Sequence, residues 1–335
     1  MSTVAVERAE VLGWLGAEGT ALDELYARAD AVRAAQFGDV VRVRAILEIS
    51  NVCRNDCLYC GIRAGMGGLR RYRMSEADVL DAIDAIAADG VADTVVLQAG
   101  ETATAEFDAW VERVVARSKE RHPSLAVTLS LGNRPKAVYA RWRAAGMDRY
   151  LLRFETSDEK LFATLHPGST LAERLECLAA LREVGAEVGT GFMTGLPGAT
   201  AETEADNLLL CQSIGPAMIG IGPFLPQAGT PLADARPPHF TLGPDAFFRS
   251  LAALRILHPT ANIPATTALD ALMGGGRDLA FSRGANVFMY NATPTAFRSA
   301  YQLYPGKPGV DARAEDAAAE TVARLARLGR EVSRG

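Results

Sequence analysis

Eight short runs rich in β-branched and apolar residues recur along this chain, each followed by a stretch with helical patterning. They are VRVRAILEIS (41–50), TVVLQAG (94–100), AVTLSLG (126–132), YLLRFET (150–156), EVGTGFMTG (187–195), MIGIGPF (218–224), NIPATT (262–267) and NVFMYNA (286–292). Most are continuously apolar rather than alternating, as suits strands of a parallel sheet covered by helices. Between them, SEADVLDAIDAIAADG (75–90) has Ser75 placed as an N-cap, Glu76 in the first turn and Gly90 at the end, and TLAERLECLAALREVG (170–185) repeats the design from Thr170 to Gly185. Eight such units point to an α/β chain folded as a (β/α)8 barrel. Strand counting alone leaves a doubly wound open sheet as the rival. Residues 1–40 read as an N-terminal helical extension that could close one end of the barrel, 41–310 as the barrel, and 311–335 as a C-terminal helix. The long loop 226–244 is of the kind that sits over an active site.

A chain of 335 residues with 49% hydrophobic residues can bury a large core, either as two domains or as one barrel. The net charge of −5 argues against a nucleic-acid surface. The first residues lack the basic flank and clean apolar run of an export signal. No apolar run approaches the roughly 18–20 residues that span a bilayer. Five cysteines, an odd number, without an export signal speak against a disulfide framework and for the reducing cytoplasm.

Three of those cysteines, Cys53, Cys57 and Cys60, fall within CRNDCLYCGIR (53–63), directly after the first strand. Catalytic groups of a barrel gather where strands end, and later strand ends carry QAGE, SLGN, RFET, MTGLPG, GIGPF, PATTALD and MYNATP. Thiolates suit zinc, Cu(I) and iron–sulfur clusters. Structural zinc wants four protein ligands. The histidines, at 122, 166, 239 and 258, are far away in sequence, and Cys177 and Cys211 lie inside helical patterns, where they read as small buried hydrophobes. A Cys57–Cys60 redox pair would leave Cys53 unexplained. Three thiolates on a [4Fe–4S] cluster would leave one iron open.

Cys-x3-Cys-x2-Cys after the first barrel strand, with Tyr59 before the last cysteine, resembles the radical S-adenosylmethionine (SAM) superfamily. SNVCRNDCLYCGIR, RYRMS, VLQAGE, VTLSLG, RYLLRFET, GLPG, GIGPF, IPATTA, GANV and YPGK resemble its HydE group, with biotin synthase and methylornithine synthase as thinner matches. The resemblance implies a [4Fe–4S] cluster on Cys53, Cys57 and Cys60. It also implies SAM bound to the open iron and cleaved by one electron to a 5′-deoxyadenosyl radical, which acts on a small substrate inside the barrel. It further implies that Glu155 and Arg174 grip SAM, that Gln98, Gly100 and Glu101 form the glycine-containing segment meeting its amine, and that Tyr59, Ser130 and Met193 complete the cofactor site. From the residues alone, a helix-face ion pair is the alternative for Arg174 and plain packing the alternative for Tyr59. The basic run Arg63, Arg70, Arg71 and Arg73 reads either as a solvated charge run or as a screen for the cluster or an electron donor. A reductant such as flavodoxin or ferredoxin is implied as partner, with no nucleic acid and no membrane.

At four strand-end positions the chain departs from the pattern usual in that group: Phe154 for His, Asn133 for an acid, Asp270 for Gly and Tyr290 for Pro. If these face the barrel mouth with Thr266 and Thr267, the SAM half is kept while the substrate half is altered. The expectation is then a HydE-type enzyme whose substrate differs from the hydrogenase precursor. A genuine [FeFe]-hydrogenase maturase, a biotin synthase- or methylornithine synthase-like enzyme, and a non-catalytic iron–sulfur sensor are the alternatives; a sensor has no need of a SAM site.

Overall fold

The computed structural model describes residues 6–238, 244–307 and 313–333, so His239 and part of the 226–244 loop lie outside the described residues. The strands are β1 (Val40–Ser50), β2 (Thr94–Ala99), β3 (Ala126–Ser130), β4 (Arg149–Leu151), β5 (Glu187–Thr190), β6 (Met193–Thr194), β7 (Met218–Ile219), β8 (Gly222–Pro223), β9 (Val287–Asn291) and β10 (Glu331–Val332). The helices are α1 (Arg8–Leu15), α2 (Gly19–Phe37), α3 (Glu76–Asp89), α4 (Ala105–Arg121), α5 (Lys136–Ala144), α6 (Glu159–Leu165), α7 (Leu171–Glu183), α8 (Ala201–Ile214), α9 (Pro244–Leu257), α10 (Ala268–Leu272), α11 (Gly276–Ala280), α12 (Thr295–Arg298) and α13 (Ala314–Arg327).

All eight apolar runs are extended, and they form a ring. β1 pairs in parallel with β2 on one side and β9 on the other. The ladder continues through β3, β4, β5 and β7, all parallel. Isolated bridges Met218↔Asn262 and Pro264↔Val287 carry it through the seventh run and back to β9. That run makes only bridges because Pro264 has no N–H to give to a ladder. The runs 187–195 and 218–224 are each broken in two, and their second halves pair separately as β6 with β8.

Side chains alternate across this wall. Val43, Ala45, Leu47 and Ile49 of β1 are fully buried in the core cluster. Arg44 and Ile46 line the cavity inside the ring. The helix ends follow from sequence chemistry. Ser75 caps α3 in a reciprocal box with Asp78, and Gly90 ends it at φ +63°. Thr170 and Glu173 form the same box on α7. α1 and α2 pack on the outer helices α8 and α9, with Tyr26 edge-on to Phe248. α13 packs on β9, and β10 pairs with the start of β1. No described helix is long and apolar enough to cross a membrane.

Candidate cluster and ligand site

The strand ends open into one cavity of about 350 Å3, within the range of small-ligand sites. Cys53, Cys57, Tyr59 and Cys60 line it, and so do Gln98, Gly100, Glu101, Ser130, Glu155, Arg174, Met193, Thr266 and Thr267. The structure therefore gathers every residue assigned from sequence to cluster and cofactor around one space.

Close backbone contacts fix the cysteine loop against the end of β2. The Gly100 N–H donates to Ser50 O (3.0 Å) and the Arg54 N–H to Glu101 O (2.8 Å). The Glu101 N–H points at Cys53 Sγ, 3.3 Å away. A Cβ on Gly100 would lie 2.5 Å from Val52 O and 2.7 Å from Cys53 Cβ, so only glycine fits. The buried Glu101 carboxylate takes Arg54 Nε on one oxygen (2.8 Å) and the Asn133 N–H on the other (2.9 Å). Gly132 makes room for it, with φ +85° and a virtual Cβ 2.2 Å from Glu101 Oε2.

Burial pushes all three loop thiols up. For Cys53, N–H groups of Asn55 and Glu101 pull the other way. For Cys57 the repulsion of Cys60 and Cys53 adds to burial, and Cys60 is pushed up to about 12. A cationic centre among them would reverse this and draw off the protons. The three loop thiols line one cavity together, and such a set of soft donors suits an iron–sulfur cluster. The loop fits a cluster.

Two charged groups stand opposite the cysteines. Glu155 has φ +67°, the one positive φ among described non-glycine residues, and Arg153 holds its carboxylate through Nε (3.1 Å) and Nη2 (3.0 Å). Arg174, buried on α7, forms none of the described ion pairs, and its Nε has no hydrogen-bond partner. A buried guanidinium with an unpartnered Nε on the cavity wall suits the carboxylate of a bound ligand. Tyr59 donates its hydroxyl to His166 Nε2 (2.8 Å), whose Nδ1–H reaches Phe162 O (3.0 Å). Burial pulls His166 down, so it stays neutral. Tyr59 and Met193 belong to an apolar cluster with Leu165, Leu196, Ala199, Phe224 and Leu232. The described part of the long loop covers this region, with the Leu232 N–H on Leu58 O.

Farther in, Arg44, Thr128 and Asn262 line the cavity floor. Arg44 Nε and Thr128 Oγ1 are buried without partners. Burial, helped by Arg149, pulls Arg44 down to about 10, so it remains cationic at neutrality. Thr267 Oγ1 meets the Tyr304 hydroxyl at 2.6 Å. In YPGK, Lys307 pairs with the buried Glu48 at the end of β1.

The four departures from the group pattern do not line the cavity, and this corrects their expected placement. Phe154, three residues beyond the end of β4, is off the cavity wall, fully buried and stacked on Phe192 at 5.8 Å. Tyr290 is buried on the outer face of β9, while its neighbour Met289 lines the cavity. Asp270, on α10, binds Arg324 of α13 at 2.9 and 3.1 Å. Asn133 follows the turn at Gly132 and offers its N–H to Glu101. The basic run is also structural. Arg71 donates to Asn51 O and Ile62 O (both 2.7 Å), Arg63 pairs with Asp56, Arg70 donates to Ala296 O and Arg73 pairs with Glu106. Cys211 is fully buried in α8, and Cys177 lies on α7 with its thiol toward Arg134 O.

Residues missed from sequence are Arg44, Arg54, Arg153 and His166. Arg44 and Arg153 had a signal: each interrupts an apolar run at a position in phase with other inward residues.

The radical SAM superfamily model matches residues 47–210. The [FeFe] hydrogenase maturase subunit HydE of Thermotoga maritima is 44% identical over 85% of this chain and 80% of its own length. The chain belongs to the radical SAM superfamily, in its HydE-like group. Biotin synthase 2 of Frankia casuarinae is 27% identical over 86% of the chain and 79% of its own length. The methylornithine synthase PylB structure superposes with TM-score 0.84 over 99% of this chain and 95% of its own, at 24% identity; that likeness concerns the fold. The protein is thus a radical SAM enzyme, with a [4Fe–4S] cluster and SAM as its cofactors.

Proposed function

We propose that the enzyme acts as a HydE-type maturase on a small anionic precursor of the hydrogenase cluster, held between the SAM site and the cavity floor. Cys53, Cys57 and Cys60 would hold the cluster beside bound SAM. Arg174 meets the SAM carboxylate, Glu155 the ammonium or ribose, and the Gln98–Glu101 segment the amine. Tyr59, Ser130 and Met193 flank the nucleoside. Bound there, the cluster and SAM supply reductive cleavage of the sulfonium and the radical reactivity that names the family. The barrel wall keeps water from that reactivity. Thr266, Thr267 and Arg44 bind the substrate, and Arg44 sets its charge, because a buried guanidinium with an unpartnered Nε favours an anion. A low-potential flavodoxin or ferredoxin supplies the electron, in the cytoplasm.

One observation carries the maturase assignment over a changed substrate. None of Phe154, Asn133, Asp270 and Tyr290 lines the cavity, so the departures put no altered side chain on its wall. The test replaces HydE by this protein in a hydrogenase maturation mixture, with SAM cleavage followed alongside. Active hydrogenase is expected. Cleavage of SAM without active hydrogenase would mean a different substrate, and absence of cleavage would end the radical reading.

A further inference from the structure

Helix α8 runs behind the loops that follow β4 and β6. Two of its residues, Glu204 and Asn207, sit one turn apart and are 2% and 1% exposed. Glu204 Oε1 accepts the Gly195 N–H at 2.9 Å, and Asn207 Oδ1 accepts the Ser157 N–H at 2.6 Å. Gly195 stands two residues after Met193, and Ser157 two residues after Glu155. In front, the Met193 N–H donates to Glu155 O at 3.0 Å. The two cavity-lining loops are therefore laced to each other on the ligand side and to α8 on the other.

Glu155 gives this lacing a purpose. A non-glycine residue at φ +67° is in a conformation that persists only when its surroundings fix it. The segment after it is short, and its backbone direction depends on where the Ser157 amide is held. A buried carboxylate inside a helix is costly when an apolar residue would pack as well. Burial pushes the Glu204 carboxyl up to about 7, while the Gly195 N–H and the Asn207 side chain oppose it. From one helix face, the two side chains each hold an amide of one of the two loops.

We propose that Glu204 and Asn207 are positioning residues for SAM, setting Met193 and the left-handed Glu155 through the amides of Gly195 and Ser157. The inference rests on the SAM-site reading above. Neither residue reaches the cavity, so their effect passes through backbone placement.

The experiment uses reconstituted holoenzyme near neutral pH, with two readouts: equilibrium SAM binding, and hydrogen exchange at the Ser157 and Gly195 amides. Glu204→Leu and Asn207→Leu each remove an acceptor; Glu204→Gln and Asn207→Asp keep one. The leucine variants should bind SAM about tenfold more weakly, the scale of one lost strong hydrogen bond, and exchange the matching amide faster, with unchanged iron content. The conservative variants should restore both. Should Glu204→Leu not fold, Asn207→Leu decides. Glu155→Ala separates the two ideas. If it weakens SAM binding while the leucine variants bind normally, the positioning role is overturned. If it too binds normally, the SAM-site reading falls and the inference with it.

Discussion

Two glycine-to-alanine changes separate the needs of the site from the needs of the fold. A Cβ on Gly100 would lie 2.5 Å from Val52 O, where ordinary contact begins at 3.4 Å, so the loop carrying Cys53 must retreat by about 0.9 Å. The atoms in the way are backbone and a cluster ligand, and a rotamer change cannot relieve the overlap. Gly100 has no positive φ, so the whole cost is overpacking, about 1–3 kcal/mol, and it falls on the cysteine loop. Gly90 is the converse: nothing lies within 4 Å of its virtual Cβ, but φ is +63° at the end of α3. Gly90→Ala should therefore cost about 1 kcal/mol through the left-handed cap alone. Thermal unfolding and iron content after anaerobic reconstitution form the assay. Both variants should melt somewhat lower, and only Gly100→Ala should lose iron and SAM affinity. Full iron and normal SAM binding in Gly100→Ala would refute the claim that this contact sets the cysteine loop.

Two further outcomes follow. Asp270→Gly removes one of the two carboxylates that hold Arg324 of α13 and leaves the other, Asp278. It should lower stability by about 1–3 kcal/mol and leave SAM cleavage and substrate choice unchanged; altered substrate choice would place Asp270 in the pocket after all. Glu204 is raised to about 7 in the folded protein. A raised carboxyl favours the folded state at low pH, and that advantage is lost as pH rises from the unfolded value through 7. Glu204→Gln should thus gain stability relative to wild type between about pH 5 and 8, by up to ~3 kcal/mol, as read from denaturant unfolding; a pH-independent difference would contradict it.

Much of the barrel was legible because its strands are continuous apolar runs and its helices carry explicit caps. Ser75, Gly90 and Thr170 do what their residue types dictate. The cluster loop was legible because soft ligands crowded at a strand end have few other uses. The facing of side chains beyond the strands was misread, although the correction was available. With Glu155 inward, a period of two puts Phe154 off the cavity wall, and Met289 and Tyr290 divide the same way. Asp270 was misplaced for a different reason: the chain turns into α10 at Ala268, and its partner Arg324 lies 54 positions along. Nothing local announces such a contact. The roles of Glu204 and Asn207 were equally hidden, since they act on amides of other segments.

The central claim is that Cys53, Cys57 and Cys60 alone hold the cluster at which SAM is cleaved. Its most direct test measures iron content and 5′-deoxyadenosine release for single Cys→Ala variants at all five positions. About four irons per chain and SAM cleavage should persist in Cys177→Ala and Cys211→Ala, and both should be lost in each of the three loop variants. Loss of the cluster in either helix variant, or an intact and active cluster in any loop variant, would contradict the account.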